Sequence, residues 1–143
     1  PIHSASKSDA EWMAEAARIG AAARGTTAPN PNVGCLILDS AGVVVGEGAT
    51  AAGGRPHAEA LALAAAGERA RSSTLFTTLE PCNHRSHRGP TCTDLIISAG
   101  VGRVVAAIGA VLLSASSWVR LADAGVRAEL EAAAGCSIVG LAG

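Results

Sequence analysis

Short, nearly unbroken apolar runs alternating with alanine-rich segments constrain this chain more than any other feature of its sequence. VGCLILDS (33–40), GVVVGEGAT (42–50), STLFTTLE (73–80) and GRVVAAIG (102–109) each have the length of a strand. Continuous apolar runs of this kind suit a sheet covered on both faces, and Ser40 to Gly42 predicts a tight turn between the first two. The intervening segments read as helices. DAEWMAEAARIGAAARG predicts a helix over residues 9–24, with Asp9 as its N-cap and Gly25 beyond its end. RPHAEALALAAAG predicts a helix that opens at His57 and ends near Gly67, and TDLIISAG (93–100) predicts another closed by Gly100. SSWVRLADAG reads as a last helix, RAELEAAAG as its extension, and CSIVGLAG as a final short strand. Strands joined partly by hairpins and partly by helical crossovers require a mixed sheet packed between helices. With neither an internal repeat nor a linker, residues 1–143 read as a single domain.

Composition narrows the class. At 49% hydrophobic the chain has ample material for a packed core. Eleven basic and twelve acidic residues leave a net charge of -1, and two Trp, one Phe and no Tyr offer few stacking rings. Neither property suits a nucleic-acid partner. No run reaches the ~18 apolar residues of a membrane span, and the polar start PIHSASKSDAEW does not read as a signal peptide. The expected compartment is the cytoplasm, where Cys35, Cys82, Cys92 and Cys136 are reduced thiols or metal ligands rather than disulfides.

The candidate chemistry collects at strand-to-helix junctions. His57 and Glu59 stand at one helix entrance, Cys82 follows the strand 73–80, and Cys92 directly precedes the helix 93–100. Glu59 is explained cheaply as an acid at the positive end of a helix dipole, but a cationic His57 is disfavoured there. A neutral imidazole ligating a metal removes that conflict. One imidazole and two thiolates suit zinc, with a fourth position left for water. Taken singly the signals are weak: a histidine at a helix start is usually a surface residue, a buried cysteine is usually a small hydrophobe, and Cys-x9-Cys is a loose zinc spacing. Their joint occurrence at junctions, with a carboxylate beside them, favours zinc. Cys35 in VGCLIL and Cys136 in CSIVG are read as core residues.

H-A-E followed by T-L-E-P-C-N-H and a second cysteine resembles the zinc-dependent cytidine deaminase superfamily. Within it the chain is most similar to the deaminase domain of the bifunctional riboflavin-biosynthesis deaminase/reductase. APNPNVGCLI, GRPHAEALAL, TLFTTLEPCNH and GPTCTDLIISAGVGRVV carry the likeness, with LADAGVRAE more loosely, over roughly residues 9–130. The resemblance implies a three-layer α/β/α sandwich with a mixed five-stranded sheet. It also implies zinc on His57, Cys82 and Cys92, and Glu59 as the proton shuttle of a hydrolytic deamination that turns an aminopyrimidine-type ring into a carbonyl and ammonia. Asn30 matches the family asparagine that contacts substrate, although turn preferences alone explain an asparagine between two prolines equally well. His84 is assigned to the substrate side, with an exposed loop histidine as the alternative. The family habit implies a homodimer or homotetramer.

Four departures bear on the substrate. The segment between Cys82 and Cys92 is one residue longer than the riboflavin-type pattern, and Thr50 stands where the family has a histidine. AVLLSASS (110–117) replaces an Asp-Pro-Asn-Pro-like loop that serves the ribose phosphate, and the reductase domain that normally follows is not in the chain. Either Arg85 and Arg88 supply the phosphate contacts, or they are solvated loop charges and the substrate is a free nucleobase, nucleoside or other amino-heterocycle. A non-catalytic zinc module is the reading from another class. It requires a fourth protein ligand, for which His84 and His87 are the candidates.

Overall fold

In the computed structural model, which describes residues 7–22, 33–51, 56–78, 91–108 and 115–132, Ser8 rather than Asp9 caps the first helix, α1 (Asp9–Ala21). The Ser8 hydroxyl accepts the Glu11 N–H at 3.2 Å while the Glu11 carboxylate accepts the Ser8 N–H at 2.8 Å. This capping box satisfies two otherwise orphaned donors. It leaves Asp9 to pair with Arg103, which also reaches Glu129 at 2.5 Å. The helix is shorter than the sequence pattern suggests, ending with Ala22 as its C-cap, and Gly25 lies outside the described residues.

The sheet has five strands in the order β2-β1-β3-β4-β5: β1 (Gly34–Leu38), β2 (Val44–Ala49), β3 (Thr74–Thr77), β4 (Arg103–Ile108) and β5 (Arg127–Ala132). β1 pairs antiparallel with both β2 and β3, whereas β3, β4 and β5 run parallel, so the sheet is mixed as expected. The β1–β2 turn is held by Asp39, whose side chain accepts the N–H groups of Ala41 and Val43, both at 2.9 Å. β1 is buried along its whole length. β2 does not fit the expectation of a strand covered on both faces: it is an edge strand, and Val44 on it is exposed.

Two helices flank the middle strands, α2 (Ala58–Ala66) and α3 (Cys92–Ala99), and α4 (Ala115–Asp123) precedes β5. RAELEAAAG does not extend α4. Gly125 turns the chain with φ 83°, Val126 is buried behind it, and the Arg127 N–H bonds to Gly102 O to open the ladder with β4. Lateral pairing overrides the helix preference of Ala, Glu and Leu. The fifth strand is therefore RAELEA, and CSIVGLAG with Cys136 falls outside the described residues.

Strand alternation sorts the core into two layers. Leu36, Leu38, Phe76, Val105 and Ala107 meet Met13 and Ala16 of α1 on one face. Cys35, Ile37, Leu75 and Val104 meet Ala58, Ala62, Ile96 and Leu121 of α2, α3 and α4 on the other. This is the three-layer α/β/α arrangement. Cys35 is fully buried within it, and that burial pushes its thiol well above the ordinary range, with the charge of Glu59 adding to the effect.

Candidate active site

α2 rests on β2 with almost no space between their backbones. A Cβ on Gly48 would lie 2.6 Å from the Ala58 carbonyl oxygen and 2.8 Å from the Leu61 Cβ, and one on Gly46 would collide with the Ala62 carbonyl. The two glycines let α2 settle onto the strand, Gly48 under its first turn and Gly46 further along, which fixes where His57 and Glu59 stand. His57 is the N-cap residue of α2, with extended backbone and no capping bond from its side chain, so the ring is directed outward from the helix.

α3 supplies the facing group. Thr91 caps it through a reciprocal pair of bonds with Asp94, at 3.0 and 2.9 Å, so Cys92 is its first helical residue. The Thr91 backbone N–H and the Arg120 guanidinium, 2.7 Å away on α4, hold the Asp94 carboxyl at about 2. A thiolate in this first turn is favoured by the helix dipole.

These two helix entrances meet. His57 Nδ1 lies 3.4 Å from Cys92 Sγ, and Cys92 Sγ lies 3.7 Å from Glu59 Oε1. One ligand atom from each of the three falls within 4.8 Å of the others, a grouping that could hold a metal ion. Zn–N of about 2.0–2.1 Å and Zn–S of about 2.3 Å in a tetrahedral site separate nitrogen and sulfur by about 3.5 Å. The 3.4 Å between His57 and Cys92 fits that ion. Glu59 and Cys92 are both buried and His57 is half-buried.

Glu59 is further tied to the sheet. The Thr77 hydroxyl at the end of β3 donates to Glu59 Oε2 at 3.0 Å, and Thr77 is fully buried. The sequence patterns above do not single out Thr77. Alternation along TLFT turns Leu75 and residue 77 to the α2 face, but the pattern does not show which group the hydroxyl meets there. The adjacent Thr78 and Thr50 staple strand ends together: Gly34 N–H donates to Thr78 Oγ1 at 3.0 Å, and Val33 N–H to Thr50 Oγ1 at 2.9 Å. Thr50 is thus a buried structural group. Cys82, Asn30, His84, His87, Arg85 and Arg88 lie outside the described residues.

Residues 6–108 match the model of the cytidine and deoxycytidylate deaminase zinc-binding region. The chain belongs to this deaminase family. It is 50% identical over 100 residues to the riboflavin biosynthesis protein RibD of Escherichia coli K12, covering 70% of this chain and 27% of that protein. It is 44% identical over 97 residues to the diaminohydroxyphosphoribosylamino-pyrimidine deaminase of Buchnera aphidicola from Acyrthosiphon pisum, covering 68% of this chain and 65% of the relative. Among solved structures, Acinetobacter baumannii RibD (form 2) superposes with a TM-score of 0.78 at 38% identity over 85% of this chain and 34% of that one. The chain thus spans about a quarter to two thirds of the length of these relatives. As a member of a zinc-binding deaminase family it carries His57 and Cys92 at a spacing that fits the ion. Among the described residues, no helix is long and apolar enough to cross a membrane.

Proposed function

We propose that this chain is a zinc-dependent hydrolytic deaminase of riboflavin biosynthesis. It replaces an exocyclic amino group of diaminohydroxyphosphoribosylaminopyrimidine by a ring carbonyl and releases ammonia. The observation that carries this reading is the meeting of His57 Nδ1 and Cys92 Sγ at 3.4 Å with the Glu59 carboxylate beside them, in a chain of this family. His57 and Cys92 hold the zinc together with Cys82, the cysteine of LEPC. Zinc, when bound, supplies Lewis-acid activation of water at neutral pH. Glu59 is kept off the metal as the proton carrier. Its Oε1 would take the two protons of the attacking water in turn, passing the first to a ring nitrogen and the second to the departing amine. One water is consumed and one ammonia leaves.

Asn30 and His84 are assigned to the pyrimidine, and Arg85 with Arg88 to the phosphate, where guanidinium groups bind bidentately. Residues 1–143 act as one deaminase domain in the cytoplasm, assembled as a homodimer or homotetramer, with a small molecule and no nucleic acid as partner. A net charge of -1 and three aromatic residues (two Trp and one Phe) support that last point. The replacement of the family's phosphate-side loop by AVLLSASS favours a second substrate, a free amino-heterocycle or nucleoside.

Ammonia release from the phosphoribosyl pyrimidine and from its free base, assayed side by side, separates the two. The phosphoribosyl compound is expected to have the higher kcat/KM by at least about tenfold, since each charged hydrogen bond contributes about 1.5–3 kcal/mol. Preference for the free base transfers the assignment to the second substrate. Zinc binding without turnover of either, or of any amino-heterocycle, marks a binding module.

A further inference from the structure

Thr77 bonds the Glu59 carboxylate through the oxygen other than the one Cys92 approaches. Its hydroxyl donates to Oε2 at 3.0 Å, while the other oxygen, Oε1, lies 3.7 Å from Cys92 Sγ. The two carboxylate oxygens therefore have different environments: one bound to the sheet, the other turned to the ligand cluster. Thr77 is itself fixed. It is the last residue of β3, hydrogen-bonded between β1 and β4, where it pairs with Cys35 on one side and Ala106 on the other. Cys35, Thr77 and Ala106 are all fully buried, so the hydroxyl is presented from a buried part of the sheet. A threonine has a stiff χ1, and a valine would fill the same volume without the hydroxyl. The side chain facing Glu59 is thus polar at a position whose neighbour along the same face, Leu75, is apolar.

We infer that Thr77 is a positioning residue. By anchoring Oε2 it orients the Glu59 carboxylate so that Oε1 faces the site formed by His57 and Cys92. The inference rests on the catalytic reading of Glu59, and its test has an arm independent of turnover. A positioned proton carrier contributes about 10²–10⁴-fold to rate, and loss of its orientation forfeits part of that.

Zinc-loaded Thr77→Val and Thr77→Ser are compared with the parent for metal content, thermal stability, kinetics and the crystallographic orientation of Glu59. Thr77→Val is expected to keep the parent's zinc stoichiometry, to lower kcat about 10- to 100-fold with KM within about twofold, and to show the Glu59 carboxylate rotated or in two orientations. Thr77→Ser is expected to restore both kcat and the single orientation, which a purely structural role for the methyl and hydroxyl together would not predict. If the valine variant does not fold, Thr77→Ala takes its place under the same expectations. An unchanged Glu59 orientation in the hydroxyl-free variant, or a kcat equal to the parent's, overturns the inference. So does failure of the serine variant to recover. If the parent itself releases no ammonia from any amino-heterocycle, the proposed function fails, while the carboxylate orientation still decides the role of Thr77.

Discussion

At the scale of single residues, the site is written in residue types placed at chain junctions. His57 and Cys92 were recognisable only jointly, as an imidazole and a thiol at two helix entrances with a carboxylate alongside, and the fold brings them to 3.4 Å. Their roles differ from that of Glu59 in a way that can be measured. Cys92 offers the sulfur of the first turn of α3, so on the proposed reading its removal takes away a direct ligand. Cys92→Ala is expected to weaken zinc binding by more than about 100-fold, the upper range for losing a mere outer partner of a ligand. Competition with a chromogenic chelator measures it, and parental affinity in the variant would remove Cys92 from the metal. Thr77 was illegible for the opposite reason. Nothing in TLFTTLE distinguishes a threonine that fills a core position from one whose hydroxyl meets a carboxylate eighteen residues away in sequence. Only the register of β3 on β1 and the seating of α2 reveal that contact.

At the scale of elements, the seating of α2 on β2 is what turns a sequence motif into a geometry. HAE could open a helix anywhere, and GEG reads only as a strand with permissive residues. Together they form a close contact in which the helix backbone occupies the space of two missing side chains. Gly48→Ala is expected to push the first turn of α2 outward, destabilise the fold by about 1–3 kcal/mol through overpacking, and lower zinc affinity along with it. Urea unfolding and chelator competition on the same preparation check both. Loss of stability with parental zinc affinity would show that the contact does not set the position of His57. The elements legible in sequence were those with clear punctuation, as with α3 between Thr91 and Gly100. β5 was misread because its composition suits a helix, while its conformation is decided by β4 alongside it and by the turn at Gly125. Similarly, Ser8 rather than Asp9 caps α1, a one-residue choice decided by the reciprocal bond from Glu11 and the ion pair of Asp9 with Arg103.

At the scale of the whole molecule, the mixed sheet places the site where α/β sheets commonly carry ligands, beyond the carboxyl end of a strand in the parallel part. β3 ends at Thr77, and the entrances of α2 and α3 converge there. α1 with Phe76 and Met13 backs the sheet, while the entrances of α2 and α3 carry His57, Glu59 and Cys92 on the other face. The alternation of strand and helix, the mixed sheet and the three layers follow from hydrophobic patterning and were legible from it. The candidate donors could be picked out in sequence because metal chemistry restricts the choice of donors, and the fold brings three of the candidate residues, His57, Glu59 and Cys92, together. How Glu59 is held depends on contacts between strands and helices far apart in the chain, which pattern alone does not carry. The central claim is that His57 and Cys92 hold zinc while Glu59 moves protons without binding it. Its most direct test is ammonia release per zinc atom in Glu59→Ala beside the parent. The parent's zinc stoichiometry with turnover reduced at least about 100-fold is expected; a variant that loses its zinc, or one that keeps the parent's turnover, would contradict it.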